Sequence, residues 1–297
     1  MERTGEATAP GRATRVIAGA PPEAFFVVSA LFHYLGPAFA VLLFARVDVL
    51  GVAWLRIASA ALVFAVWRRP WRAFRRLDPS RRWTLVALGT VLAVMNASFY
   101  LAIDRLPLGT VAAIEFLGPI ALAVAGLRSR RNLMALALAV GGVWLLTDVR
   151  LEGEPLGVLL AFVNAALFTA YIVLGHRIAE GGGGGGIDGL AAAMLIAAAV
   201  ASPIGAADGS AALRDPALLT AGFGVGIASS VIPYVCDQLA MARMSRATYS
   251  LLVALLPATA TVVGVVVLAQ LPSWTEACGV ALVVSAVAVH REREALS

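Results

Sequence analysis

The 297 residues are 60% hydrophobic and only 14% charged, with a mean hydropathy of +0.87. A soluble domain is about 45–50% apolar and about 25% charged. Composition therefore excludes a soluble globular enzyme and a disordered chain. It leaves a polytopic membrane protein, since about 20 apolar residues cross a bilayer. The net charge of +5 does not point to nucleic acid. No basic stretch interleaves with stacking aromatics, and the arginines fall in short connections between apolar runs. The chain has no lysine and is rich in Ala, Gly, Val and Arg, the usage of a GC-rich bacterial gene.

The first 22 residues are polar and carry Arg3, Arg12 and Arg15. The following run contains Ala38-Phe39-Ala40, the form of a signal-peptidase site. It continues through Phe44 and is read as a retained first span. Ten apolar runs follow one another: 24–44, 48–67, 83–103, 108–127, 132–148, 155–175, 188–205, 216–236, 245–269 and 274–290. Each is expected to be helical, because hydrocarbon offers the backbone no other partners. Gly181 to Gly186 read as a flexible linker; no Gly-Lys-Ser/Thr follows to make a phosphate loop. Cys236 and Cys278 sit inside apolar runs without CxxC spacing and read as core residues. Trp54, Trp67, Trp71, Trp83 and Trp274 stand near span ends and read as interfacial anchors.

Arginine placement sets the expected orientation. With the N-terminus in the cytoplasm, 18 of the 23 arginines fall in cytoplasmic segments and four (Arg46, Arg105, Arg150, Arg214) in external ones. Arg56 lies inside a span. This bias predicts both termini in the cytoplasm.

The chain also matches itself at an offset of 138. Leu101, Ala102, Arg105, Thr110 and Pro119 fall on Leu239, Ala240, Arg243, Thr248 and Pro257. Spans one to five then superpose on spans six to ten. Five is odd, so the halves sit inverted in the membrane, a plan of secondary transporters whose substrate site lies where the halves meet. The expected organisation is a cytoplasmic tail (1–23), a first five-helix repeat (24–150), a second (151–290) and a C-terminal cytoplasmic tail (291–297).

Met95 to Leu127 reads MNASFYLAIDRLPLGTVAAIEFLGPIALAVAGL. Its Pro107-Leu108-Gly109 followed by Glu115-Phe116-Leu117-Gly118-Pro119 resembles the EamA branch of the drug/metabolite transporter superfamily, and within it the threonine/homoserine exporter type. The resemblance implies an exporter of amino acids or related metabolites in the bacterial inner membrane, without fixing the substrate. The second half departs from the pattern: Val253-Ala254-Leu255-Leu256-Pro257 has no acid where the first half has Glu115.

Ionisable groups in hydrocarbon each need a reason, and the spans hold His33, Arg56, Glu115 and Asp237. A proline inside a helix leaves the carbonyl four residues earlier without its donor. Pro119 thus frees the carbonyl of Glu115 and Pro37 that of His33; Pro37, Gly118, Pro119 and Pro257 are expected helix breaks. At the 138 offset Asn96 falls on Tyr234, Tyr100 on Gln238 and His33 on Tyr171. The pairs 96/100 and 234/238 are i, i+4 and share helix faces, so both halves offer polar pairs to a common pocket. The alternative for each residue is helix–helix hydrogen bonding. Arg56 has three readings: snorkelling outward, pairing with Glu115 or Asp237, or binding a substrate carboxylate. Asp237 reads as interfacial or as part of the pocket.

The expected substrate site is Asn96, Tyr100, Glu115, Tyr234, Gln238, Tyr171, His33 and Arg56, with Glu115, Asp237 and His33 as proton-coupling candidates. Glu115 ranks first, being the only acid in the central region of the first repeat. No metal, cofactor or nucleic acid is expected; the partners are a small molecule and the bilayer. An integral-membrane enzyme is the rival class, but HExxH, GxSxG and an intramembrane aspartyl pair are all missing. A channel lacks a filter motif, and a lipid-handling protein or an exporter of other metabolites or drugs remains open. Without ATP-binding machinery, coupling falls to a gradient or an exchanged solute.

Overall fold

The computed structural model describes residues 21–76, 78–126, 129–151, 154–180, 185–241, 243, 252 and 255–289. Nearly all of both tails, Gly181 to Gly184 of the glycine run, and most of 244–254 with Thr248 lie outside the described residues. Among the described residues the chain is helical without strands. The helices are α1 (Pro22–Leu43), α2 (Val49–Arg68), α3 (Pro70–Arg76), α4 (Pro79–Ile103), α5 (Leu108–Glu115), α6 (Leu117–Gly126), α7 (Arg130–Leu151), α8 (Pro155–Glu180), α9 (Gly185–Arg214), α10 (Pro216–Gly226), α11 (Ile232–Met241), α12 (Leu256–Leu268) and α13 (Trp274–Val289). A π-helical segment, Ile227–Val231, joins α10 to α11.

Local sequence explains the boundaries. Proline opens α1, α4, α8 and α10, where its missing N–H has no helical partner to lose. Asp78 accepts from the Arg81 amide and Asp215 from the Ala217 amide, capping α4 and α10. Ser273 and Glu276 cap α13 reciprocally, each side chain accepting from the other's amide.

Six helices are long and apolar enough to cross a bilayer: Pro22–Leu43, Val49–Arg68, Pro79–Ile103, Pro155–Gly175, Ile187–Ser210 and Pro216–Asp237. Leu108–Leu122, Leu256–Leu268 and Trp274–Val289 are shorter apolar helices. The chain is a multi-pass helical membrane protein. Many large apolar side chains face outward, among them Val27, Leu42, Leu62, Val66, Val262 and Val266, while others such as Phe64, Ile57 and Leu92 fill the interior, where Arg56, Asn96, Glu115 and Asn164 are buried too. Lipid as solvent explains the exposed apolar surface and the buried polar groups, because it welcomes the first and leaves the second to satisfy one another.

Packing pairs the helices across the chain. α2 lies on α9, α4 on α8, α5 on α12 and α7 on α13, while α1 packs along α10, the π segment and α11.

Three details depart from the plain reading of ten runs. The 108–127 run is two helices interrupted at Phe116, just before Gly118-Pro119. The 216–236 run contains the π segment two residues ahead of Pro233. The 188–205 run is part of a longer helix, α9, that starts within the glycine run and continues past Pro203 to Arg214. Trp54 is also no interfacial anchor: its indole N–H turns inward to Ser202 Oγ at 2.9 Å, since a partly buried indole needs an acceptor.

Candidate functional site

α2 carries Arg56 into the interior, where it is 6% exposed. Its Nε donates to Ser230 Oγ at 3.1 Å and its Nη2 to the Ser229 carbonyl at 3.1 Å. Pro233 lacks the N–H that would close the usual helical bond to that carbonyl. Thus an arginine from α2 stitches a loosened stretch of backbone between α10 and α11. The guanidinium also lies 5.4 Å from the Tyr100 ring centroid, and Tyr100 is fully buried against Phe44 and Phe99. Gly36 of α1 admits the π segment: a Cβ there would stand 2.1 Å from Ser229 Oγ and 2.7 Å from the Ser229 nitrogen.

Glu115 ends α5 at the interruption and is 7% exposed. Its Oε1 accepts from Asn164 Nδ2 of α8 at 3.1 Å. Gly118 brings the broken helix against α8, since a Cβ would meet Thr169 Oγ1 at 2.0 Å and the Ala165 carbonyl at 2.8 Å. Arg56 and Glu115 lie within electrostatic reach of each other and of Tyr234, and Arg56 also reaches His33. Among the described residues neither Arg56 nor Glu115 forms a direct ion pair. A guanidinium and a carboxyl group are therefore buried near one another without direct contact.

The remaining expected residues are distributed around this centre. Asn96 is buried, and its Nδ2 donates to the Leu92 carbonyl of its own helix at 2.7 Å. His33 meets Tyr34 edge-on at 5.4 Å. Tyr171 stacks on Phe168 at 6.1 Å in the cluster where Tyr234 also packs. Asp237 is half-buried on α11, and Gln238 follows it on the same helix. α1 runs unbroken through Pro37, and Pro257 stands in the first turn of α12.

The sequence reading did not single out Ser229, Ser230 or Pro233, and gave Asn164 no role. The proline rule applied to Pro37 and Pro119 finds Ser229 when applied to Pro233. Among the described residues, three buried side-chain polar atoms have no hydrogen-bond partner: Tyr100 Oη, Asn164 Oδ1 and Ser229 Oγ. All three belong to residues touching Arg56 or Glu115. Buried polar atoms are ordinarily paired, so unmet hydrogen-bonding capacity is concentrated beside Arg56 and Glu115 among the described residues.

A cavity of about 160 Å³ lies elsewhere, between α5, α12 and α13, lined by Thr110, Thr261, Gln270 and Glu276 among others. Gln270 Oε1 accepts from the Leu108 amide at 3.0 Å there. None of the expected site residues lines it. Among the described residues no three His, Cys, Asp or Glu side chains gather as a metal site.

A buried arginine and a buried carboxyl group, one bonded to a π segment and the other at a helix break, sit inside a multi-pass helical membrane protein, as the polar interior of a membrane transporter would. Comparison with known proteins agrees. Residues 155–290 match the model of the EamA-like transporter family. The threonine/homoserine exporters RhtA of Salmonella typhimurium (strain SL1344) and Escherichia coli (strain K12) are each 34% identical over 239 residues, covering 79% of this chain and 79% of theirs. A solved crystal structure superposes with a TM-score of 0.59 over 90% of this chain and 96% of its own, at 20% identity, a likeness of fold alone. The chain belongs to the EamA-like transporter family, on its RhtA-like side, and is a transporter, not an enzyme.

Proposed function

We propose that this protein exports small α-amino acids of the threonine/homoserine kind across the bacterial cytoplasmic membrane by alternating access, in exchange for protons. The observation that carries the reading is the separated pair Arg56 and Glu115, both buried, neither ion-paired among the described residues, with three unpartnered polar atoms beside them. An α-amino acid at neutral pH is a zwitterion. Arg56 keeps spare N–H donors for its carboxylate, and Glu115 with Asn164 Oδ1 offers acceptors for its ammonium. The relatives named threonine/homoserine exporters supply the same substrate class.

Proton exchange follows from competition at Glu115. A protonated carboxyl is a poor partner for an ammonium, so proton and substrate exclude each other there. Each outward delivery of amino acid then returns a proton inward. The remaining expected groups, Asn96, Tyr100, Tyr171, Tyr234, Gln238 and His33, line or support this site, and Asp237 and His33 assist the proton.

The inverted repeat gains support from packing. An axis exchanging span n with span n+5 maps the α2/α9, α7/α13 and α5/α12 contacts onto themselves. It maps α1 on α10–α11 onto α8 on α4. All of these contacts are present. Ten spans in repeats 24–150 and 151–290, with both termini cytoplasmic, complete the reading.

The test is counterflow of radiolabelled threonine in proteoliposomes of the purified protein. Saturable uptake against unlabelled internal threonine, competed by homoserine and unaffected by threonine methyl ester, is expected. Competition by the ester equal to that by threonine would remove Arg56 from substrate recognition.

A further inference from the structure

The connection from α2 to α4 carries Arg68, Arg69, Arg72, Arg75, Arg76, Arg81 and Arg82. Export of an amino acid uses none of them. Arg68 pairs with Asp188 of α9 at 2.7 Å, and Arg81 with Asp78 at 3.4 Å. Arg82 donates to the Arg75 carbonyl at 2.9 Å and lies over the Phe74 ring. By contrast the side chains of Arg69, Arg72 and Arg75 have no hydrogen-bond or ion-pair partner among the described residues, and all three are exposed.

Their placement is fixed. Arg69 caps α2 in the left-handed region (φ 50), and Pro70 starts α3 immediately afterward. The Arg72 amide bonds back to the Arg69 carbonyl at 3.0 Å, holding the two residues one turn apart. At about 100° per residue, Arg72 and Arg75 share a face of α3 and Phe74 takes the opposite one. Phe74 packs into the interior cluster, and α3 rests on α9. The apolar face is thus anchored, and the cationic face points away from the protein.

Three tryptophans stand along this connection, at the end of α2, in α3 and in the first turns of α4. Trp67, Trp71 and Trp83 are 51%, 46% and 73% exposed. Exposed indoles at the ends of apolar helices sit at headgroup depth. The free guanidinium groups therefore stand at the level where lipid phosphates are.

We infer that Arg69, Arg72 and Arg75 form a binding site for the phosphate headgroup of an anionic phospholipid, with Trp67, Trp71 and Trp83 against its glycerol and upper acyl chains. Guanidinium matches phosphate oxygens geometrically as well as by charge, and a fixed helix presents it without ordering a loop. Because α3 rests on α9 through its opposite face, packing against the second half of the chain holds the site in place.

The test uses the full chain in vesicles mixing phosphatidylcholine and phosphatidylglycerol of identical acyl chains. Either lipid is brominated in turn, and quenching of tryptophan fluorescence reports which one is held. The parent is expected to prefer phosphatidylglycerol by about fivefold for each arginine engaged. The triple variant Arg69→Gln, Arg72→Gln, Arg75→Gln is expected to lose that preference. The triple lysine variant keeps charge and insertion, and is expected to retain most of it. No preference in the parent, or an equal one in the glutamine variant, overturns the site. Abolition of the preference by millimolar inorganic phosphate, with sulfate inert, would assign the arginines to a soluble phosphate compound and equally overturn the lipid reading.

Discussion

Replacing Arg56 with lysine isolates what the guanidinium contributes. A guanidinium has five N–H donors, and Ser230 Oγ and the Ser229 carbonyl occupy one on Nε and one on Nη2. Three remain, on both terminal nitrogens, enough for a two-point bond to a carboxylate. Lysine keeps the charge but cannot hold Ser229 and Ser230 and also present a planar fork. One charge-assisted bond to the substrate is lost, about 1.5–3 kcal/mol, or roughly a 10- to 150-fold weaker apparent affinity. Arg56→Met removes the charge as well and should abolish measurable counterflow. The assay is the concentration dependence of threonine counterflow, with threonine methyl ester as a matched competitor lacking the carboxylate charge. Thermal unfolding of each variant in detergent separates folding from binding, since the bonds to Ser229 and Ser230 also tie α2 to the π segment. A lysine variant that unfolds at a lower temperature yet keeps the parent's affinity and discrimination against the ester would make Arg56 purely a structural tie.

Glu115→Gln mimics the protonated carboxyl and should insert and fold normally while losing acceleration of efflux by an imposed pH step; a parental response to the step would leave Glu115 outside the coupling. Asn164→Leu strips the Nδ2 bond from a buried carboxylate, and should lower stability by about 1.5–3 kcal/mol, read by thermal unfolding at fixed detergent. Gly36→Ala places a methyl 2.1 Å from Ser229 Oγ and should destabilise by about 1–3 kcal/mol; adding Ser229→Ala should recover only part, because the Ser229 nitrogen stands at 2.7 Å. Single cysteines introduced between residues 69 and 78 should resist membrane-impermeant reagents in intact cells, and efficient labelling there would invert the topology.

Much of the architecture is legible because bilayer physics leaves few choices. A run as apolar as Val49–Arg68 in hydrocarbon must close its own hydrogen bonds, so length and composition predict the helix outright. Proline and aspartate mark the starts at Pro79 and Pro216 for equally local reasons. The interruption at Phe116 follows from Gly118-Pro119, and Glu115 stood out as an acid amid apolar neighbours. What escaped the sequence is long-range. Ser229 looks like any small residue in a small-residue run; its place beneath Arg56 depends on α2 and α10 meeting, 173 positions apart in the chain. Asn164 likewise becomes informative only when α8 comes to rest on the broken helix. Asn96 shows another limit: its spacing with Tyr100 puts it on a shared face, but spacing does not reveal that its Nδ2 donates to the Leu92 carbonyl of its own helix.

The two halves of the site are held by different kinds of irregular backbone, and this bears on how a carrier moves. Arg56 belongs to a regular helix but binds backbone in the π segment of its partner, while Glu115 sits on the irregular element itself and is bound by a regular helix, α8. In the proposed function a zwitterionic substrate would engage both groups at once. Its carboxylate would take the spare donors of the guanidinium that holds the Ser229 carbonyl, and its ammonium the carboxylate that holds Asn164. Each tie is worth only a few kcal/mol even as a charge-assisted bond, comparable with what a bound amino acid supplies. Irregular backbone at mid-bundle is the part of a membrane helix that can change its bonding without exposing polar groups to lipid. On this proposal, binding would share the charge of both groups with the substrate and so loosen the contacts of α2 with the π segment and of α5 with α8 together. The residues that fix the resting arrangement are, in the proposed function, also the ones through which the substrate would release it.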